Sequence, residues 1–334
     1  MYNHCVKKTF FFLSICLGVF SIFSFASAHE VYVLSPIQIT QAIGIPPFDM
    51  VAVAEQNLGQ FTFWAFISIL VVFVVFFSSI SRFLEKKFDP FFLKIKKYAP
   101  AIARVTVGVS FLAAAYYQAS YGPELPLAPA YGIFTPVITG ILVVIGILII
   151  FNLYTKWAAG VALCLFGYAV YRNGWYMLTY TNYLGEIIVL LLGIEMMKAG
   201  KKLSRYGFLI IRVCFGVSLI FASAYAKIIY NNLGLFTVEK YHLDKILGFE
   251  PHFLVLGAAI IEILIGTFII LGIEIRFASA FFLFWLSLSL VFFGEVVWPH
   301  IILIGIPIAL ICYGYDKYSI EGYFFKKDGR EPVF

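Results

Sequence analysis

Ionisable side chains lie inside several long apolar segments of this chain. Glu262, in the stretch "AAIIEILIG" (Ala258 to Gly266), is about ten residues from either end of a segment that has no other charge. A carboxylate at that depth has two chemical uses. It can relay a proton or bind the polar head of a ligand, or it can pair with a cation and hold two helices together.

The preceding apolar segment contains two cations that could pair with Glu262. At about 1.5 Å of rise per residue, Glu262 lies about 15 Å from both ends of its helix, and Arg212 lies about 9 Å from the inner end of its own. An arginine side chain can cross the remaining height of about 6 Å. Lys227 is closer to the outer end, where its ammonium group can extend into water. We therefore expect an Arg212–Glu262 pair, with Lys227 as the second choice.

Further polar residues are predicted around this pair. Ser218 and Tyr225 follow Arg212 in the same apolar segment and complete the predicted polar centre. The flank of the site is expected to come from Ser223, Glu186, Tyr116 and Tyr117. Because tyrosines also collect at membrane interfaces, we interpret Tyr116 and Tyr117 as interface residues.

The histidines and cysteines give little support for a metal site or a disulfide. His252 and His300 are the candidate ligands, because imidazole is a common metal ligand. Their spacing matches no metal-binding motif, so we expect no metal and no resident cofactor. Cys164, Cys214 and Cys312 are far apart, each inside an apolar segment, which argues against a disulfide framework.

The composition makes the lipid bilayer the solvent of this chain. Of its 334 residues, 62% are hydrophobic and 13% are charged, against roughly 45–50% and about 25% in soluble domains. The net charge of +6 comes from basic residues in short loops between apolar segments, so we expect lipid rather than nucleic acid as the partner. Apolar segments of about 20 residues predict spanning helices. We expect an all-α fold with nine of them, at about 62–80, 101–120, 131–151, 157–171, 183–197, 206–229, 253–272, 277–296 and 299–315.

The first 28 residues have the pattern of a cleaved signal peptide, with a basic start, an apolar core and the small triplet "ASA" at residues 26–28. Residues 29–61 are then extracytoplasmic, and residues 62–97 form the first spanning helix and a basic cytoplasmic loop. The positive charges of later loops fall on the same side, together with the tail, residues 317–334. These patterns predict a multi-pass protein of the cell membrane (the inner membrane of a bacterium) whose mature N-terminus is outside and whose C-terminus is cytoplasmic.

Two helices are predicted in the extracytoplasmic segment. The stretch "SPIQ" (Ser35 to Gln38) has the residues of a capping box, with Pro at the first helical position. This helix is expected to end before "IPP" (Ile45 to Pro47). A second helix is expected to start at Asp49 and to continue into the first span.

Two pairs of stretches match between the first and second parts of the chain. "ARVTVGVSFLAAAYYQ" (Ala103 to Gln118) aligns with "IRVCFGVSLIFASAYAK" (Ile211 to Lys227), and further on Gly146 aligns with Gly266 and Lys156 with Arg276. Residues 98–200 and 201–316 are therefore predicted to be two copies of one four-helix unit in parallel orientation. Parallel repeats occur in transporters but also arise by simple duplication, so repetition alone selects no function.

The four-helix unit resembles the DoxX family of small membrane proteins. That pattern has an Arg early in the first helix, a Gly four residues on, a Lys after small residues, and a mid-membrane Glu in the second helix followed by a Gly and an Arg. The second copy matches it at Arg212, Gly216, Lys227, Glu262, Gly266 or Gly272, and Arg276. The first copy has Arg104 and Gly108, but Gln118 or Ala119 at the Lys position and Leu142 opposite Glu262. We therefore expect the polar centre only in the second copy.

The resemblance implies a group of functions rather than one reaction. Members of the family are associated with thiosulfate:quinone oxidoreductase, through the related DoxD subunit, and with oxidative-stress or thiol-redox complexes. We therefore expect a subunit or accessory factor of a quinone- or thiol-linked membrane redox system, with a redox protein as partner and a quinone as candidate ligand. The alternatives are a small-solute or proton-coupled transporter, or a structural assembly partner. Whether the chain is an enzyme stays open; if so, it is an accessory subunit of an oxidoreductase.

Overall fold

The computed structural model describes residues 34–193, 204–293, 297–314 and 318–324. The predicted signal peptide lies outside the described residues. The described part is built from helices and contains no strand, only one isolated bridge between Ala119 and Pro126. The α-helices are α1 Pro36–Gly44, α2 Met50–Leu58, α3 Phe61–Ile95, α4 Ala99–Tyr116, α5 Leu127–Tyr131, α6 Thr135–Ile150, α7 Thr155–Asn173, α8 Thr181–Leu191, α9 Ser204–Ala224, α10 Asn232–Lys240, α11 Leu243–Leu247, α12 Pro251–Leu271, α13 Ile275–Phe293, α14 Ile301–Tyr313 and α15 Ile320–Phe324.

Several of these helices are long and apolar enough to cross a membrane. Within the described residues there are five such segments, and a sixth if the bent pair Met50–Leu58 and Phe61–Phe76 counts as one span. The five are Pro90–Tyr116, Leu127–Ile150, Tyr206–Ile229, Pro251–Leu271 and Ile275–Phe293. The all-α, multi-pass membrane fold is therefore confirmed, whereas the number of nine spans stays a prediction.

The predicted helix starts in the N-terminal segment are confirmed, but two continuations differ. Ser35 and Gln38 form the reciprocal capping box of α1, and the Asp49 carboxylate accepts from two amides at the start of α2. We expected α2 to run into the first span, but the chain bends by 101° between them. We also expected the first helix to end near residue 80 and a basic loop to follow it, yet α3 continues to Ile95. Charged residues end a membrane span because of their desolvation, but they are good helix formers and do not end the helix.

The main helices form a closed circuit in which each packs on the next. Helices α4, α6, α7 and α8 make up the first half of this bundle, and α9, α12, α13 and α14 make up the second half. The circuit is completed across the halves, because α8 packs on α9 and α14 packs on α4. We call the end of the bundle beside α1 and α10 the α1 end, and the end beside Arg212 the Arg212 end.

Each half contains one close helix crossing made by two glycines. A Cβ on Gly146 would lie 2.8 Å from the carbonyl oxygen of Gly108, and a Cβ on Gly266 would lie 2.9 Å from that of Gly216. Such approach is open only to glycine, and it brings α4 onto α6 and α9 onto α12. The two contacts therefore fix the level of one helix against the next in both halves.

The N-terminal segment is attached to the second half. The Asn231 side chain donates to the carbonyl oxygen of Phe48 at 2.7 Å and accepts from its amide at 3.1 Å. Asn232 donates to the carbonyl oxygens of Ile45 and Pro46, both at 3.1 Å. Both asparagines are buried, so these bonds satisfy amides that would otherwise be costly to desolvate.

Candidate functional site

Glu262 pairs with Lys227. The Nζ atom of Lys227 lies 2.9 Å from Oε2 of Glu262, and the two side chains are 7% and 24% exposed. Lys227 belongs to a π-helical turn, Tyr225–Ile229, that extends α9. Such turns are rare and are frequent at functional sites.

The prediction that Arg212 pairs with Glu262 is wrong. The guanidinium of Arg212 lies against Gly272 at the end of α12, and its Nη2 atom is 3.5 Å from the carbonyl oxygen of Tyr318. Gly272 is ten residues beyond Glu262, which corresponds to about 15 Å along an α-helix. Arg212 therefore lies at the end of the bundle away from α1, where helix carbonyls lack intrahelical partners.

The levels and directions of the side chains explain why Glu262 pairs with Lys227 and not with Arg212. Gly216 and Gly266 lie at one level, so Glu262 is one turn toward the α1 end and Arg212 is one turn the other way, about 12 Å apart. Helical side chains also tilt toward the N-terminus of their own helix. In these antiparallel helices Glu262 tilts toward the α1 end and Arg212 tilts away from it, whereas Lys227 tilts back toward Glu262.

The ion pair lies in the wall of a cavity of about 540 Å³. The cavity lies between α12 and α13 and is covered by α10 and α11. Its polar lining consists of Lys227, Glu262, Thr237, Ser289 and His300, and the other lining residues are apolar or glycine. Ligand pockets typically have about 300–1,000 Å³, a largely apolar lining and a few polar groups that fix orientation. This cavity has all three properties.

Several residues that line the cavity also lie on the apolar surface of the protein. Ile246 and Leu247 of α11 are 60% and 55% exposed, and Leu288 and Phe292 of α13 are both 49% exposed. In a membrane protein an exposed apolar surface of this kind faces lipid. Leu288 and Phe292 belong to the apolar segment Ile275–Phe293, so this part of the cavity wall is continuous with the apolar outer surface of a helix long enough to span a membrane.

A second, smaller chamber of about 50 Å³ lies beside the first. Its lining is rich in polar side chains and includes Ser218 and Tyr225, two residues of the predicted polar centre. Ser218 donates a short hydrogen bond to the carbonyl oxygen of Thr179, and Tyr225 packs against Tyr176 with ring centroids 4.9 Å apart. The predicted centre is thus divided between two neighbouring cavities.

The two candidate metal ligands lie in different surroundings. His300 is 1% exposed and lines both cavities. His252 lies at the start of α12, where its ring bonds Glu250 and packs edge-on against Phe48 at 4.6 Å. Partial burial raises the pKa of Glu250, but hydrogen bonds from the ring of His252 and from two amides outweigh it and lower the pKa. Among the residues that the structure describes, no three His, Cys, Asp or Glu side chains come together to hold a metal.

The predicted flank of the site is dispersed. Tyr116 and Tyr117 are 79% and 46% exposed, and Tyr117 stacks on Trp298. Ser223 is buried and donates to the carbonyl oxygen of Ala259 at 3.5 Å. Glu186 is fully buried on α8 and lines neither cavity.

Sequence reasoning overlooked a group of tyrosines near Glu124. Tyr176 donates to Oε1 of Glu124 at 3.1 Å, and Tyr180 makes a short hydrogen bond to the same atom. Tyr183, which also lines the small chamber, follows in the same series. The three tyrosines recur at a spacing of four and then three residues and all line the small chamber, and this spacing was the available signal in the sequence.

The family model described as DoxX matches residues 207–295. The matched segment contains both members of the ion pair and most of the wall of the large cavity. No curated protein and no solved structure matches the chain. The family match agrees with the apolar spanning helices, so the chain is an α-helical membrane protein whose residues 207–295 are similar to the DoxX family.

Proposed function

We propose that this protein is an accessory subunit of a membrane redox system and that its DoxX domain binds a lipid-soluble quinone. The observation that carries the proposal is the large cavity, which combines an apolar lining, exposed apolar residues of α13 in its wall and the Lys227–Glu262 pair. A quinone has matching chemistry, because its ring and tail are apolar and its two carbonyl oxygens accept hydrogen bonds.

The two charged residues have complementary roles toward such a ligand. The ammonium group of Lys227 can donate to a quinone carbonyl while remaining beside Glu262. The carboxylate of Glu262 can exchange a proton with the ring oxygen, because each quinone takes up two electrons and two protons when it becomes a quinol. The electrons would come from a partner redox protein, and the chain itself supplies binding, orientation and a proton group.

We further propose that the two halves are copies of one unit and that only the second copy binds the quinone. Three matched features support duplication. The close glycine contacts recur, Lys156 packs on Gly193 as Arg276 packs on Gly314, and the left-handed backbone of Asn152 and Tyr154 recurs at Gly272 and Glu274. Leu142, at the position of Glu262, is buried and apolar. This asymmetry favours a single site over a transport pathway that uses both copies.

The proposed orientation follows the positive charges and places the α1 end of the bundle outside the cell membrane. The mature N-terminus is then outside and the C-terminal tail is cytoplasmic. The quinone would enter from the bilayer between α12 and α13.

The proposal is tested by the fluorescence of Trp285, which lines the large cavity. Titration of the detergent-purified protein with a short-chain ubiquinone should quench this fluorescence saturably. Trp285→Phe should remove the saturable component and identify its source. Glu262→Gln and Lys227→Gln should each weaken binding about tenfold, the effect of losing one hydrogen bond to a charged group.

Glu239→Gln is the matched control, because Glu239 is an exposed carboxylate on α10. Its affinity should equal that of the wild type. If no saturable quenching occurs, the quinone proposal is wrong and the Lys227–Glu262 pair is left as a clamp between two helices.

A further inference from the structure

His300 is the polar residue in the wall between the two cavities. Four residues line both of them: Leu219, Ala222, His300 and Leu303. Of these, only His300 can donate or accept a proton. It lies in a short turn, Trp298–His300, directly before α14 and is 1% exposed.

The small chamber has the size and lining that hold water. Its volume of about 50 Å³ exceeds the 10–15 Å³ that one water molecule needs by roughly threefold or more. Polar side chains of its wall can hydrogen-bond such water: Tyr176, Thr179, Tyr180, Asn182, Ser218 and Tyr225. Buried polar space of this kind is normally hydrated, whereas dry cavities are apolar.

Two tyrosines of the chamber lead to a carboxylate in a connection between helices. Tyr176 and Tyr180 line the chamber, and both of their hydroxyl groups donate to Glu124. Glu124 lies in the connection between α4 and α5, where the residue as a whole is partly exposed while its carboxylate atom Oε2 is buried. This connection is at the α1 end, since the preceding Tyr117 stacks on Trp298.

We propose that His300, the water of the small chamber and the Tyr180–Glu124 pair form a proton route from the Lys227–Glu262 cavity to the α1 end of the protein. The proton passes along hydrogen bonds, with His300 accepting it on one ring nitrogen and releasing another from the second. The titratable groups that share a cavity with His300 are Lys227 and Glu262 on one side, and Tyr176, Tyr180, Tyr183 and Tyr225 on the other. The route rests on the proposed function, because it gives a bound quinone its exchange of protons.

The water chamber is tested without any ligand, by hydroxyl-radical footprinting of the protein in detergent. Radiolysis labels buried side chains that contact bound water. Tyr183 lines the chamber and is 1% exposed, whereas Tyr121 is equally buried, at 2%, but lines neither cavity. We expect several-fold more label on Tyr183 than on Tyr121. Equal labelling would overturn the route.

The proton step is tested with a hydroxynaphthoquinone, a quinone whose ring hydroxyl changes colour when it ionises. The wild-type protein, saturated with this probe, is subjected to a pH jump in a stopped-flow instrument. The colour of the bound probe should follow the bulk pH quickly. His300→Leu and Tyr180→Phe should slow the response at least about tenfold, as expected when a proton-transfer group is removed.

A control variant and the second test variant separate the proton route from the quinone site. His252→Leu removes a histidine that lines neither cavity and should respond like the wild type. Tyr180 lies outside the large cavity. The variant Tyr180→Phe therefore still tests the expected slowing of proton transfer if His300→Leu does not fold. Unchanged rates in Tyr180→Phe and His300→Leu overturn the route. If the probe does not bind at all, the quinone proposal fails, and the labelling of Tyr183 alone decides whether the chamber holds water.

Discussion

The two halves of the bundle share their helix packing but differ in the chemistry of one crossing. In the first half Gly108 meets Gly146, and the residue one turn along α6 is the buried Leu142. In the second half Gly216 meets Gly266 in the same way, and the residue one turn along α12 is Glu262, paired with Lys227. The comparison separates two kinds of residue. Glycine contacts are needed wherever the helices cross, whereas the ion pair is not needed for the crossing.

The halves also differ in what covers the crossing. In the first half the connection from α4 to α6, residues 117–134, contains the five-residue helix α5, whereas the second half carries α10 and α11 over the space between α12 and α13. The N-terminal segment adds to this cover, because Phe66 of α3 lines the large cavity. The cavity therefore depends on elements that cover only one of the two crossings.

The largest expected effect comes from breaking the ion pair. Lys227→Met leaves Glu262 without its cation and should lower the free energy of unfolding by about 3–5 kcal/mol, as for other buried pairs. The double variant Lys227→Met/Glu262→Leu gives the second half the apolar character of the first. Its stability should return to within about 1 kcal/mol of the wild type, since well-packed apolar residues replace buried pairs at little cost. Thermal unfolding in detergent, followed by circular dichroism, measures both.

Lys240→Met is the control for loss of a positive charge, because Lys240 is exposed at the end of α10. It should leave the unfolding temperature unchanged within error. Equal stability of Lys227→Met and the wild type would show that the pair does not hold the second half together. A double variant as unstable as Lys227→Met would show that the second half cannot adopt the apolar crossing of the first.

The sequence predicted the type of element well and the details of the site less well. Capping residues such as Ser35 and Asp49 act on their own neighbours, so the helix starts they predict are found in the structure. Glu262 was recognised because a charge in an apolar segment needs a partner. The partner was misjudged, because distances from predicted helix ends ignore the level that glycine contacts set and the tilt of side chains. The cavity depends on the packing of α11 over α12, which no local pattern encodes.

An intermediate effect is expected at the glycine contacts, and it should be the same in both halves. Gly146→Val and Gly266→Val would each push a side chain against a backbone carbonyl oxygen, which cannot rotate away. Overpacking of this kind costs about 1–3 kcal/mol. Gly140→Val is the matched control, because Gly140 lies on the same helix as Gly146 and has open space where a Cβ would stand. Unequal losses for Gly146→Val and Gly266→Val would mean that only one half depends on the close crossing.

The smallest expected effect concerns the N-terminal ends of α6 and α12, the second main helix of each half. Helix α12 begins with Glu250, whose carboxylate accepts from the amides of His252 and Phe253, whereas α6 has no side-chain cap. Against the raising effect of partial burial, the hydrogen bond from the His252 ring and these two amide bonds hold the pKa of Glu250 below its ordinary value of 4.5. A carboxyl group whose pKa is lower in the folded state stabilises the protein above the ordinary pKa, and this contribution is lost as the pH falls through the lowered value. Because the side chain is 45% exposed, the contribution should be below about 1 kcal/mol.

Glu250→Gln should therefore unfold at a lower temperature than the wild type at pH 7, and the difference should shrink below about pH 4.5. Unfolding curves of both proteins between neutral pH and about pH 3.5 measure this dependence. Glu239→Gln serves as the exposed-carboxylate control, since it removes a negative charge from the same side of the bundle without removing a cap. A difference between Glu250→Gln and the wild type that stays constant with pH would mean that α12 starts through the apolar packing of Phe253. In that case the charged cap would not distinguish α12 from α6.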